Sequence, residues 1–160
     1  MMAVRKTTLA KIVAKKQKVE FIDIDKNIEK KNSMKISEIF DEKGEAFFRI
    51  EEEKEVLKSL KKNNCVIALG GGAFINKTIR EDVLKNAISV WLDVSIKTLN
   101  ERVKWNQKRP LLKKGGNAKI LKELYDKRKK IYKLANHKII CDKLDREKLA
   151  NKIIALYGKY

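Results

Sequence analysis

Asp23 and Asp25 close the apolar run Val19-Glu20-Phe21-Ile22-Asp23-Ile24. Two carboxylates spaced i, i+2 on extended chain point the same way. Such a pair can hold a metal-bound water and accept a proton, although strand-end aspartates are also ordinary turn residues. A second apolar run, Cys65-Val66-Ile67-Ala68-Leu69, stops at Gly70-Gly71-Gly72. Three glycines allow a ligand to approach the backbone closely, whereas a tight turn accounts well for only one of them. Asp93 follows a third run, Ile88-Ser89-Val90-Trp91-Leu92. Near the start, Lys6-Thr7-Thr8 directly precedes a helical pattern. These residues fit the end of the phosphate-binding pattern G-x-x-x-x-G-K-[ST], in which the lysine reaches the outer phosphates and the hydroxyl holds magnesium. A helix amino end adds free N–H groups and a favourable dipole. Arg5 stands where the last glycine of that pattern belongs, and the pattern's first glycine and preceding strand are not in the sequence.

The elements between these residues alternate. Leu9, Ile12 and Val13 predict a helix over 7–17, followed by a strand over 19–24. Ile36, Ile39 and Phe40 mark a short helix that Gly44 can end, and Phe47, Phe48, Leu57 and Leu60 predict a longer one over 45–61. Residues 65–69 suit a strand covered on both faces. A helix over 76–86, a strand over 88–92 and a helix capped by Ser95 and carrying Ile96, Leu99 and Val103 come next. Residues 105–117 read as a polar loop, 118–135 as a helix and 137–141 as the last strand. Leu149, Ile153 and Leu156 lie on a final helix. This pattern predicts one α/β domain over 1–160, a three-layer α/β/α arrangement with a central parallel sheet. Ligands of such sheets bind beyond the carboxyl ends of the strands, where Asp23, Asp25, the glycine run and Asp93 all fall.

Composition sets outer limits. The 160 residues carry 43% hydrophobic and 38% charged residues, with one proline and two cysteines. That excludes collagenous, mucin-like and most disordered classes, and offers neither a disulfide framework nor a zinc-binding spacing. No run of about 18 apolar residues predicts a membrane span, and Met1 to Lys6 lacks the apolar core of a signal peptide, so a cytoplasmic protein is expected. The net charge is +18. Lysines outnumber arginines 32 to seven and are scattered through every predicted helix. The expectation is therefore of solvated lysine faces, with no specific nucleic-acid partner and no membrane partner.

Taken together, six segments resemble the shikimate kinases, which are small members of the P-loop nucleoside-monophosphate-kinase-like group. They are K-T-T-L-A-K-I-V-A-K-K at 6–16, F-I-D-I-D at 21–25, I-S-E-I-F-D-E-K-G-E-A-F-F-R at 36–49, L-G-G-G at 69–72, R-P-L-L at 109–112 and R-K-K-I-Y at 128–132. The resemblance spans about Ala3 to the C-terminus. It implies transfer of the γ-phosphate of ATP to the 3-hydroxyl of shikimate, a step toward chorismate and the aromatic amino acids, by a monomer using Mg2+. It implies that Asp25 binds the substrate hydroxyls and serves as base or orienting group, while Asp23 holds magnesium through water. Arg49 and Arg128 would grip the shikimate carboxylate, a bidentate task suited to guanidinium, and Gly71 would offer its backbone to a substrate hydroxyl. Lys6, Thr7 and Thr8 would meet the ATP phosphates, with Thr7 on the metal. Arg109 would descend with a mobile lid over about 105–118, and Arg102 would lie against the adenine.

Other features fall outside these roles. His137 begins a strand and reads as structural, and Trp91 and Trp105 read as packing residues. The stretch Cys141-Asp142-Lys143-Leu144-Asp145 departs from the family's adenine-side loop, so no contact is assigned there. In this fold group the strand before the phosphate loop is central. Its absence predicts neighbouring strands with unpaired backbone groups and a gap in the core. An arginine at position 5 places a side chain where phosphate approaches backbone. The expectation is that the sequence begins at an internal methionine of a longer product. The competing readings are a shikimate-binding homologue without turnover, a related small-molecule kinase such as a gluconate kinase, and a basic nucleic-acid-binding domain. The last leaves the aspartate pair and the glycine run unexplained.

Overall fold

The computed structural model describes residues 6–99, 118–142 and 144–158, with the side chains of 118–121 set aside. Arg5, Arg102, Trp105, Arg109 and all but the last residue of the expected lid lie outside the described residues.

Helix α1 runs Lys6–Gln17 and buries Leu9, Val13 and Ala14. Strand β1, Glu20–Asp23, pairs in parallel with β2, Cys65–Ala68, with Glu20 opposite Cys65 and Asp23 opposite Ala68. Between them lie three helices, α2 (Ile24–Asn32), α3 (Ile36–Glu42) and α4 (Gly44–Ser59). Gly44 has φ +82°, a conformation open to glycine, and it separates α3 from α4 without a longer loop. A short 3-10 turn, Ala73–Ile75, follows the glycine run and leads to α5, Lys77–Asn86, capped by the Asn76 side chain. Strand β3, Val90–Asp93, pairs in parallel with β4, His137–Ile140. Helix α6, Ala118–Tyr132, precedes β4, and α7, Arg146–Tyr157, begins at the cap Asp145. Residues 96–99 are also helical.

The expected strand over 19–24 stops at Asp23. The Asp23 side chain accepts a hydrogen bond from Lys26 N at 3.3 Å and starts α2, a helix the sequence reading left out. Ile24 and Ile28, one turn apart, are then fully buried beneath it. Asp25 consequently sits in the first turn of a helix. The reading of Asp23 and Asp25 as a pair on extended chain is corrected by that cap.

Two apolar layers sandwich the strands. On one face Leu9 and Val13 of α1 and Leu149 and Ala150 of α7 cluster with Ile139 of β4, and Val66, Val90 and Leu92 pack against them. On the other face Ile28, Ile39, Phe48, Val56, Ile79 and Val83 of α2–α5 cluster with Ile22 and Trp91. Alternation along β2 and β3 sends neighbouring residues to opposite layers. The strands nevertheless form two parallel pairs, β1–β2 and β3–β4, with no ladder joining them among the described residues. The β3–β4 pair is clipped at both ends. At its start Ser89 N and Oγ donate to Asn136 Oδ1, and Asn136 N donates back to Ser89 Oγ. At its far end Ser95 N and Oγ donate to the Asp142 carboxylate.

Candidate functional site

The glycine run leaves β2 at its carboxyl end, and each glycine serves a different neighbour. A β-carbon on Gly70 would overlap Glu52 Oε1 and lie 3.1 Å from Asp25 Oδ1. A β-carbon on Gly72 would stand 2.5 Å from Arg49 Nη1, far inside contact distance. The Gly71 carbonyl accepts from Arg128 Nη1 at 3.1 Å and from the Tyr132 hydroxyl at 2.5 Å. Gly70 and Gly72 thus leave the space that the Glu52 and Arg49 side chains fill, which a turn alone does not explain.

Arg49 projects from α4. Its Nε and Nη2 donate to Glu45 Oε1 at 3.1 and 2.8 Å, and its Nη1 donates to Glu52 Oε2 at 2.6 Å. A guanidinium has five N–H donors, so one on each terminal nitrogen stays available for a ligand. Burial pulls the Arg49 guanidinium down, but Glu52 and Glu45 outweigh it and hold it above its usual value. Glu52 is 1% exposed, and its Oε1 is buried without a hydrogen-bond partner. Burial drives the Glu52 carboxyl up, the Arg49 charge offsets only part of this, and Asp25 adds to the rise.

The other end of the site is looser. Lys6 opens α1, and its Nζ lies 3.5 Å from Asp25 Oδ2, both side chains being partly exposed. Thr7 is half-buried and Thr8 exposed in the same turn. The Lys6–Asp25 contact brings Thr7 and the buried Asp23 to the same edge of the strands. Among the described residues, no group of three or more acidic, histidine or cysteine side chains could hold a metal ion. Magnesium usually takes one or two protein oxygens beside phosphates and waters, so the hard donors Thr7 and Asp23 fit it.

Of the residues singled out in the sequence, the structure brings Asp25, Arg49, Gly71 and Arg128 together around the glycine run, with Lys6 and Asp23 beside them. Asp93 does not belong to this group. Its Oδ1 accepts from Tyr125 at 2.9 Å and its Oδ2 pairs with Lys138 at 3.0 Å. His137 N donates to the Ser89 carbonyl, and Trp91 is buried in the core. Glu52 and Tyr132 were missed as site residues. Glu52 had a signal: it occupies the buried stripe Phe48, Glu52, Val56 of α4, where an acid has no reason to be unless a cation meets it.

The family model for shikimate kinase matches residues 2–157. This chain belongs to the shikimate kinase family. A shikimate kinase of Sulfurihydrogenibium sp. is 40% identical over 149 residues, 93% of this chain and 89% of that protein. A shikimate kinase of Bacillus pumilus is 39% identical, covering 96% of this chain and 83% of that protein. Among solved structures, the shikimate kinase from Acinetobacter baumannii in complex with shikimate superposes with a TM-score of 0.93 at 30% identity, covering 99% of this chain and 89% of that one. The Aquifex aeolicus enzyme gives 0.87 at 29% identity, with 99% and 94% covered. The shikimate kinase fold, α/β/α with parallel strands, is therefore the fold of this chain.

Proposed function

We propose that the chain phosphorylates the 3-hydroxyl of shikimate with ATP, as a cytoplasmic, monomeric, single-domain enzyme over residues 1–160. The observation that carries this reading is the convergence of Arg49 and Arg128 on Gly71 and Gly72 beside Asp25. Two guanidiniums with donors to spare suit a carboxylate, and a nearby aspartate suits the hydroxyls on the far side of a small ring. Among the described residues no helix is long and apolar enough to cross a membrane.

In the proposed reaction the 3-hydroxyl oxygen forms a bond to the γ-phosphorus and the bond from that phosphorus to the β-bridging oxygen breaks. Asp25 orients the hydroxyl and takes its proton. Lys6 neutralises the β- and γ-phosphates, and the α1 amino end adds N–H donors. Thr7, and Asp23 through water, would hold magnesium, which would supply charge neutralisation at the phosphates. Thr8 extends the phosphate contacts. To Arg109 we assign the phosphates, to Arg102 the adenine and to the segment at about 105–118 the exclusion of water that would otherwise take the phosphoryl group; Arg102 and Arg109 lie outside the described residues.

The test is shikimate-dependent release of ADP by the 160-residue chain with magnesium and ATP. Asp25→Asn should lower it by roughly two to four orders of magnitude. Release that survives Asp25→Asn would refute the assigned base. Shikimate binding by folded chain with no release would leave a binding protein and overturn the catalytic half of the proposal.

A further inference from the structure

The Gly71 carbonyl oxygen has two lone pairs, and α6 fills both. Tyr132 Oη donates at 2.5 Å and Arg128 Nη1 at 3.1 Å. The two donors lie four residues apart, on one face of the helix. They differ in freedom. The Tyr132 ring is buried against Trp91 and Phe74, with centroids 6.0 and 6.4 Å away. Burial also holds its phenol above the usual range, so the hydroxyl remains a donor. Arg128 reaches the same oxygen on a long, partly exposed side chain.

The peptide between Gly71 and Gly72 carries a β-carbon on neither side, so its plane is free to turn unless something holds the carbonyl. Arg49 Nη1 fills the volume that a Gly72 side chain would take. One peptide therefore meets both guanidiniums, Arg128 at the Gly71 carbonyl and Arg49 at Gly72, and the carbonyl's orientation sets where Arg128 rests. We infer that Tyr132 is a positioning residue of the site. Its hydroxyl locks the Gly71 carbonyl, and the locked carbonyl fixes Arg128 relative to Arg49 for recognition of a substrate carboxylate. This inference rests on the shikimate reading above, and Tyr132 acts through Arg128 without touching the substrate.

Tyr132→Phe keeps the ring and removes only the hydroxyl. Titration calorimetry with shikimate should show binding weakened by up to about tenfold, the scale of one neutral hydrogen bond. The methyl ester of shikimate, without the carboxylate charge, should bind both proteins alike. Arg128→Lys should weaken shikimate binding as well, and the double variant should be no weaker than the worse single one, because both act through one oxygen. Equal losses for shikimate and its ester, or additive losses in the double variant, would overturn the inference. Wild-type chain that binds no shikimate would sink the substrate reading, and a ligand-free measurement then decides Tyr132 separately. Nitrogen-15 NMR should find rotation about the Arg128 Nε–Cζ bond slow in the wild type and faster in Tyr132→Phe. Equal rates would refute the positioning role.

Discussion

At the arginine end of the site, Arg49 is held by Glu45 and Glu52, and Arg128 by a carbonyl that Tyr132 also binds. At the lysine end, where the proposed nucleotide would lie, Lys6 reaches Asp25 at 3.5 Å and both side chains are partly exposed. The first end is ordered by the protein's own contacts before a ligand arrives. The second consists of a flexible ammonium, two hydroxyls and a helix amino end, which need the charge of a nucleotide to draw them together. The difference follows from chemistry. A guanidinium that must meet a planar carboxylate in one geometry gains from preorganisation. A lysine that follows phosphates gains from reach.

The comparison can be broken most severely at the glycines. Gly72→Ala pushes the Arg49 guanidinium aside, and Gly70→Ala displaces the Glu52 carboxylate that holds it. A misplacement of about 1 Å at a reacting site can cost roughly a hundredfold in rate, so shikimate-dependent ADP release should fall by up to that order in each variant, with a smaller loss of shikimate binding by calorimetry. Nucleotide binding should change little if the two ends are independent, and a matching loss would show that they are not.

Glu52→Gln should have a smaller effect and sharpens the electrostatic side. The folded state holds the Glu52 proton more tightly than the unfolded chain does. Stability therefore falls as pH rises from the unfolded carboxylate's range, near 4.5, toward the higher folded value. Urea melts across that window should show a slope that Glu52→Gln lessens. An unchanged slope would mean that another group carries it.

Tyr125→Phe should matter least. Burial and the bond to Asp93 push the Tyr125 phenol up from 10 to about 12, so the folded state keeps a proton that the unfolded chain loses above pH 10. Stability should decline between those two values, and the Phe variant should lose that decline along with about 1 kcal/mol of stability. Alkaline unfolding curves of the two proteins decide this. Binding of shikimate and of nucleotide should be unaffected, since Tyr125 belongs to neither end.

Much of this organisation was legible in the residues. The apolar runs located all four described strands, and the ordered motifs located Arg49, Gly71 and Arg128 without a coordinate. What escaped notice was set by tertiary packing. Helix α2 has nine residues rich in lysine and asparagine, and its apolar contribution is two isoleucines, the first of which reads as a continuation of β1. Only the cap formed by Asp23 reveals that the chain turns there. Glu52 is hard to single out because an acid within a charged helix reads as solvated until the half-buried arginine three residues before it is seen to pair with it. Tyr132 stood in a motif already noted, but nothing local shows that its hydroxyl finds a carbonyl 61 residues away in sequence.

The side-chain clips on β3–β4 bear on how freely the chain between those strands can change in length. Each clip joins residues 47 positions apart, and together they fix where the intervening segment must leave and return. Closure entropy grows only with the logarithm of length, so bringing together residues this far apart costs about 0.6 kcal/mol more than bringing together residues half as far apart. The polar side chains at the two ends of the pair therefore offset a cost set chiefly by closing the contact at all, and little by how much chain lies between.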